Sequence, residues 1–112
     1  MNIFNYTIEQ IDDIIESIIK IDMDEYNASK NELYSKYNIC NMYYAGASLC
    51  IDIKDPILNE LDVLIISYNN ETYGFFSDKT KRLLSLKSLR NLEIIMKRDN
   101  IWFNRKNKLC VK

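Results

Sequence analysis

The triplet in this sequence that carries the most chemistry is Asp52-Ile53-Lys54, at the end of an apolar stretch. Restriction-type nucleases place an acid-x-Lys at a strand end, where the carboxylate ligates Mg²⁺ and the ammonium helps orient the attacking water. Such a site needs a second carboxylate on a neighbouring strand or turn. The nearest acid before Asp52 is Glu32, in a segment that reads as helix, so a strand end reaching solvent accounts better for the triplet. Asp22-Met23-Asp24 opens like a calcium loop, but its sixth position is Asn27 where the turn wants Gly, and its twelfth is Leu33 where a bidentate carboxylate is required. Helix capping is the simpler role for these acids.

Other catalytic sets are absent from the sequence. With no histidine, a Ser-His or Cys-His nucleophile pair is ruled out within the chain. Gly46 and Gly74 are isolated, so no phosphate-cradling loop exists. Cys40, Cys50 and Cys110 form no C-x-x-C pair and have no histidine to complete a zinc set, which points to a reducing cytoplasm. Cys50, alternating with Asp52, reads as a small core residue. The expectation is a non-enzyme with no cofactor and no metal.

Charge says more. Residues 1–78 hold fourteen acids against four bases, residues 79–112 eleven bases against two acids, and the net of −1 hides both. Glu9, Asp13 and Glu16 fall on the outer side of the first expected helix, followed by Asp24 and Glu25. Together they make an anionic surface suited to docking a basic protein, the device by which small nuclease inhibitors present carboxylates where phosphates are expected. An ordinary solvated helix face would look the same. Lys87, Arg90, Lys97 and Arg98 share a sector of a C-terminal helix, and Trp102 and Arg105 beyond it resemble a stacking and cation–π element, so nucleic acid is the alternative partner.

These residues must be positioned by a small set of elements. Thr7-Ile8-Glu9-Gln10 is a capping-box start, and Ile8, Ile11, Ile14, Ile15, Ile18 and Ile19 then fill one arc at helical spacing, to a stop near Ile21. A second helix is expected over Asp24–Tyr37, capped by Asp22 or Asp24. Residues 42–53 read as strand, kinked at Gly46, and Leu61–Tyr68 with Thr72–Phe76 as a hairpin turning at Asn69-Asn70. After a charged turn at Asp78–Arg82, Leu86, Leu89, Leu92, Ile95 and Met96 give the inner face of a helix ending near Arg98. Ile101–Phe103 and Leu109–Val111 are expected as a closing hairpin or a last edge strand.

The whole reads as one domain, 1–112, since 112 residues with 47% apolar content suffice to bury roughly 65% of the unfolded surface. No apolar run approaches the roughly eighteen residues a membrane span needs, and acids occupy the start, where a signal peptide wants an apolar run. An excess of Asn, Ile, Lys and Tyr suggests an AT-rich genome of a bacterium or its phages. The expected fold is α+β: an N-terminal helix or helix pair packed on a small, mostly antiparallel sheet, with a basic C-terminal helix. The expected function is a non-enzymatic protein-binding module, an inhibitor or immunity-type factor with a basic partner; a nucleic-acid-binding regulator is second and a Mg²⁺ nuclease third. Oligomeric state and sheet order do not follow from the sequence.

Overall fold

The first helix starts as the capping box dictates. The Gln10 amide donates to Thr7 Oγ1 at 3.2 Å, and the Thr7 amide donates to Gln10 Oε1 at 2.8 Å, so two amides that a helix start orphans are satisfied reciprocally. The computed structural model describes the backbone of residues 6–106 and the side chains of residues 6–99. Helix α1 (Ile8–Ile19) buries Ile11, Ile14, Ile15 and Ile18, and Ile21 is buried just beyond its end. Each such burial stabilises by about 1.5–3 kcal/mol, before chain entropy is counted.

Helix α2 (Tyr26–Tyr37) begins two residues later than the acids suggest. Its N-cap is Glu25, with no side-chain cap bond, because Asp22 Oδ1 instead accepts the Asp24 amide at 2.9 Å and fixes the turn between the helices. The helix ends at Asn38, left-handed at φ 57°, a conformation asparagine tolerates.

Residues 42–53 are not one kinked strand. They belong to a hairpin of β1 (Ile39–Ala45) and β2 (Ser48–Lys54) that turns at Gly46-Ala47. Gly46 has φ +64° while Ala47 does not enter the positive region. A positive φ at the first of two loop residues is the type II′ pattern, which favours Gly there. The next hairpin, β3 (Leu61–Ser67) with β4 (Thr72–Phe75), appears as expected, but its loop spans 68–71 and the left-handed residue is Glu71 (φ 56°), not Asn69 or Asn70. The Asn70 amide is held by Ser67 Oγ at 3.2 Å. A two-residue strand, β5 (Arg82–Leu83), falls within and after the expected charged turn.

Helix α3 (Leu86–Lys106) starts on Ser85, whose Oγ accepts the Ser88 amide at 3.0 Å. It does not stop near Arg98: Ile101–Phe103 are helical rather than strand, and no Gly or Pro breaks the run. Leu109–Val111 lie outside the described residues.

The five strands form one antiparallel sheet in chain order. Its inner rows, Met42–Ile51–Leu64–Phe75 and Tyr44–Leu49–Ile66–Tyr73, meet the isoleucines of α1 and Leu92 and Ile95 of α3 in one core cluster. The fold is therefore α+β, with helices at both ends of the chain order. The outer rows, Asn41–Asp52–Val63, Tyr43–Cys50–Ile65–Gly74 and Ala45–Ser48–Ser67–Thr72–Leu83, face the other way. Among the described residues no helix covers them. The β4–β5 connection approaches this face at Gly74, where a Cβ would stand 2.8 Å from the Thr80 carbonyl, and Cys50 and Ser67 of these rows are buried. Asp62, buried at the end of the inner face, accepts the Val63 amide at 2.8 Å, the Ser77 amide at 3.2 Å and the Ser77 hydroxyl. Its burial is tolerable because several donors replace water.

Candidate functional site

Most of the acidic flank of α1 is a joint between helices. Asp12 Oδ1 accepts the hydroxyl of Ser85 at 2.6 Å and that of Ser88. Asp13 Oδ2 pairs with Lys36 Nζ of α2 at 3.1 Å and accepts the Tyr37 hydroxyl, and Glu16 pairs with Lys87 Nζ of α3 at 3.0 Å. The hydrogen bond and charge of Glu16 push the Lys87 ammonium pKa up. Two of the five acids proposed for partner capture, Asp13 and Glu16, are thus engaged within the chain. Glu9, Asp24 and Glu25 are exposed and have no ion pair among the described residues.

The basic set is divided in the same way. Lys87 belongs to Glu16, and Lys97 Nζ lies 3.6 Å from Glu93. Arg98 donates through Nε to Asp99 at 2.8 Å and through Nη1 to the carbonyls of Ile18 and Ile19 at 3.1 and 3.2 Å. Those carbonyls are among the last four of α1, which have no partner inside the helix, and a cation there also opposes the negative end of the macrodipole. Arg98 is therefore the C-terminal cap of α1, supplied from about eighty residues away. Arg90 is exposed, without an ion pair among the described residues. Trp102 and Arg105 lie on the last turns of α3, and their side chains are outside the described set.

Asp52 is half-buried on the outer sheet face, hydrogen-bonded with Tyr43 of the neighbouring strand. Lys54 is exposed at the end of β2. Among the described residues no three Asp, Glu, Cys or His side chains gather to hold a metal, and the carboxylate partner that a nuclease would need near Asp52 is not brought there. Burial, then the Asp52 charge, push the Cys50 thiol up, which disfavours its thiolate.

What the fold does assemble is an apolar surface. Leu61 is 59% exposed, Phe76 74%, Leu83 70% and Tyr43 41%, and register puts all four on the outer face or its continuation. Half-exposed Val63 and Ile65 lie between them. Ile57 and Leu58, in the β2–β3 connection, extend the surface at one end. Beside Ile65 the β4–β5 connection leaves a groove of about 390 Å³, flanked by Phe76, Lys79 and Lys81. On the paired strand positions of this face the only charges are Asp52 and Lys54. What such a surface can do is bury apolar area against another surface. The sequence shows the alternation of β3, but it does not show which alternate face the helices leave bare.

No helix among the described residues is long and apolar enough to cross a membrane. No protein-family model, curated protein or solved structure matches the chain.

Proposed function

We propose that the protein is a non-catalytic protein-binding module, of the inhibitor or immunity type, that seats its partner on the outer face of its sheet. One observation supports this reading: the helices pack on or beside the inner side, and four large apolar side chains stand exposed on the other. At strand and residue spacings of about 4.8 and 3.3 Å, strands of seven, seven, seven, four and two residues span roughly 430 Å² in projection. That is about half of the roughly 800 Å² per partner of a standard interface, and the exposed Ile57, Leu58 and Phe76 beside the strands add to it. A near-neutral centre also fits the depletion of charge at interface cores. Glu9, Asp24 and Glu25 then steer a basic partner toward the molecule rather than seating it, an effect on association rate.

Capture on the immobilised protein from an extract of its native host, with and without nuclease, tests the reading. Phe76→Asp and Leu83→Asp should each abolish capture, while Arg90→Glu and nuclease treatment leave it intact. Capture that survives both face variants refutes the docking surface. Capture lost on nuclease treatment and with Arg90→Glu refutes the class in favour of nucleic-acid binding.

A further inference from the structure

On the opposite side of the sheet, where the end of α1, the start of α2, the β1–β2 hairpin and α3 converge, lies a cavity of about 170 Å³, partly open to solvent. A cavity of about 150 Å³ lined by aliphatic and aromatic side chains admits benzene. The walls here are of that kind: Ile18, Ile21 and Leu49, with the thioethers of Met23 and Met42, which adapt to a ring more readily than branched chains do. One end is polar. Asp99 Oδ2 accepts the Tyr44 hydroxyl at 2.6 Å and Oδ1 accepts Arg98 Nε at 2.8 Å, while Arg98 is itself fixed by the α1 carbonyls.

We infer that this cavity is a binding site for a small neutral aromatic molecule bearing one hydroxyl group, of the size of phenol. Neutrality follows from the polar end. Arg98 and Asp99 both line it and already neutralise each other, so neither a carboxylate nor an ammonium ligand finds an unpaired counter-charge there. Among the described residues no buried side-chain nitrogen or oxygen lacks a partner, so the site has no orphaned group for a ligand charge to satisfy. A carboxylate offers about four lone-pair positions. Tyr44 and Arg98 occupy two on Asp99, and a ligand hydroxyl can donate to another while the ring contacts the apolar walls. The chain of bonds from α1 through Arg98 and Asp99 to Tyr44 is set before any ligand enters, so little ordering cost falls on binding. The cavity meets the outer sheet face only through Tyr43, which lines it from strand β1.

Methyl-¹³C-methionine protein titrated with phenol tests the inference. The Met23 and Met42 methyl signals should shift saturably, while Met96, in the core but away from the cavity wall, stays in place. Benzoate and benzylammonium should bind at least about tenfold more weakly, the equivalent of one disfavoured charge placement. Ile21→Phe, which fills the cavity, should abolish the phenol shifts; if that variant does not fold, the titration of the unaltered protein still decides. Absence of saturation, equal shifts at Met96, or benzoate binding as well as phenol overturns the assignment.

Discussion

Replacing Arg98 by methionine removes the guanidinium while keeping most of the stem that packs beside it. Three bonds go with it: two to the Ile18 and Ile19 carbonyls and one to Asp99. Arg98 and Asp99 side chains are 24% and 20% exposed, so water reaches them in part and the full value of a charged hydrogen bond does not apply. At about 1 kcal/mol for each carbonyl bond, and up to about 1 kcal/mol for the ion pair and dipole together, the loss is about 3 kcal/mol. For a chain of this size that lowers Tm by about 12 °C. Urea and thermal unfolding followed by circular dichroism measure it, with Lys97→Met as the comparison. Lys97 sits one residue before Arg98, in a pair whose side chains are 76% and 50% exposed, and its loss should cost under about 0.5 kcal/mol. Hydrogen exchange adds a local readout, since the Lys20 and Ile21 amides, bonded to Glu16 and Ile18, should exchange faster in the variant. If Arg98→Met matches Lys97→Met within about 0.5 kcal/mol, Arg98 is not the cap of α1 and the account of the joint fails.

Gly74→Ala should destabilise by about 1–3 kcal/mol in urea unfolding, because the new methyl meets the Thr80 carbonyl and the connection must move; unchanged stability would mean that the crossing is loose. Phe76→Asp should change stability by less than about 0.5 kcal/mol, since the ring is 74% exposed, and a larger loss would show that the ring packs inward. Burial, then the Asp99 bond and charge, hold the Tyr44 phenol well above its ordinary pKa of 10.0. Its contribution to stability is intact below about pH 10 and is lost as pH rises further, because the unfolded chain then releases a proton that the folded one keeps. Above pH 10, Tyr44→Phe should flatten the fall in stability by up to about 1.4 kcal/mol per pH unit; an unchanged slope refutes it. Under native conditions a thiol reagent should label exposed Cys40 and leave buried Cys50 until the protein unfolds, as read by peptide mapping; equal labelling contradicts the burial.

Local patterns carried the fold further than the site. The capping box and isoleucine arc of α1 are readable because each depends on neighbours a few residues apart. Gly46 is ambiguous for the same local reason: a kink and a type II′ turn both use glycine, and only the pairing of Ala45 with Ser48 distinguishes them. The sequence ends α3 too early because Ile101-Trp102-Phe103, one β-branched and two aromatic residues, favour strand by local propensity. The charge asymmetry was visible but its use was not, since Arg98 to Ile18 and Lys87 to Glu16 join residues about seventy to eighty positions apart. Linear sequence cannot show that a basic helix lies against the acidic flank of another, so part of what looked like two binding surfaces is a seam.

Helix α2 has a consequence beyond its own packing. It buries only Leu33, yet it packs against β1, and the Tyr34 hydroxyl is hydrogen-bonded with the Met42 backbone. β1 is a seven-residue edge without a single charged side chain, the kind of strand that otherwise recruits copies of itself. At the far side the sheet ends in the two residues of β5, too short to recruit anything. Lateral growth is thus guarded on one side by a helix and on the other by brevity. Local opening of α2 would therefore uncover an uncharged strand edge, so the helix protects the sheet from edge-to-edge pairing as well as packing on it.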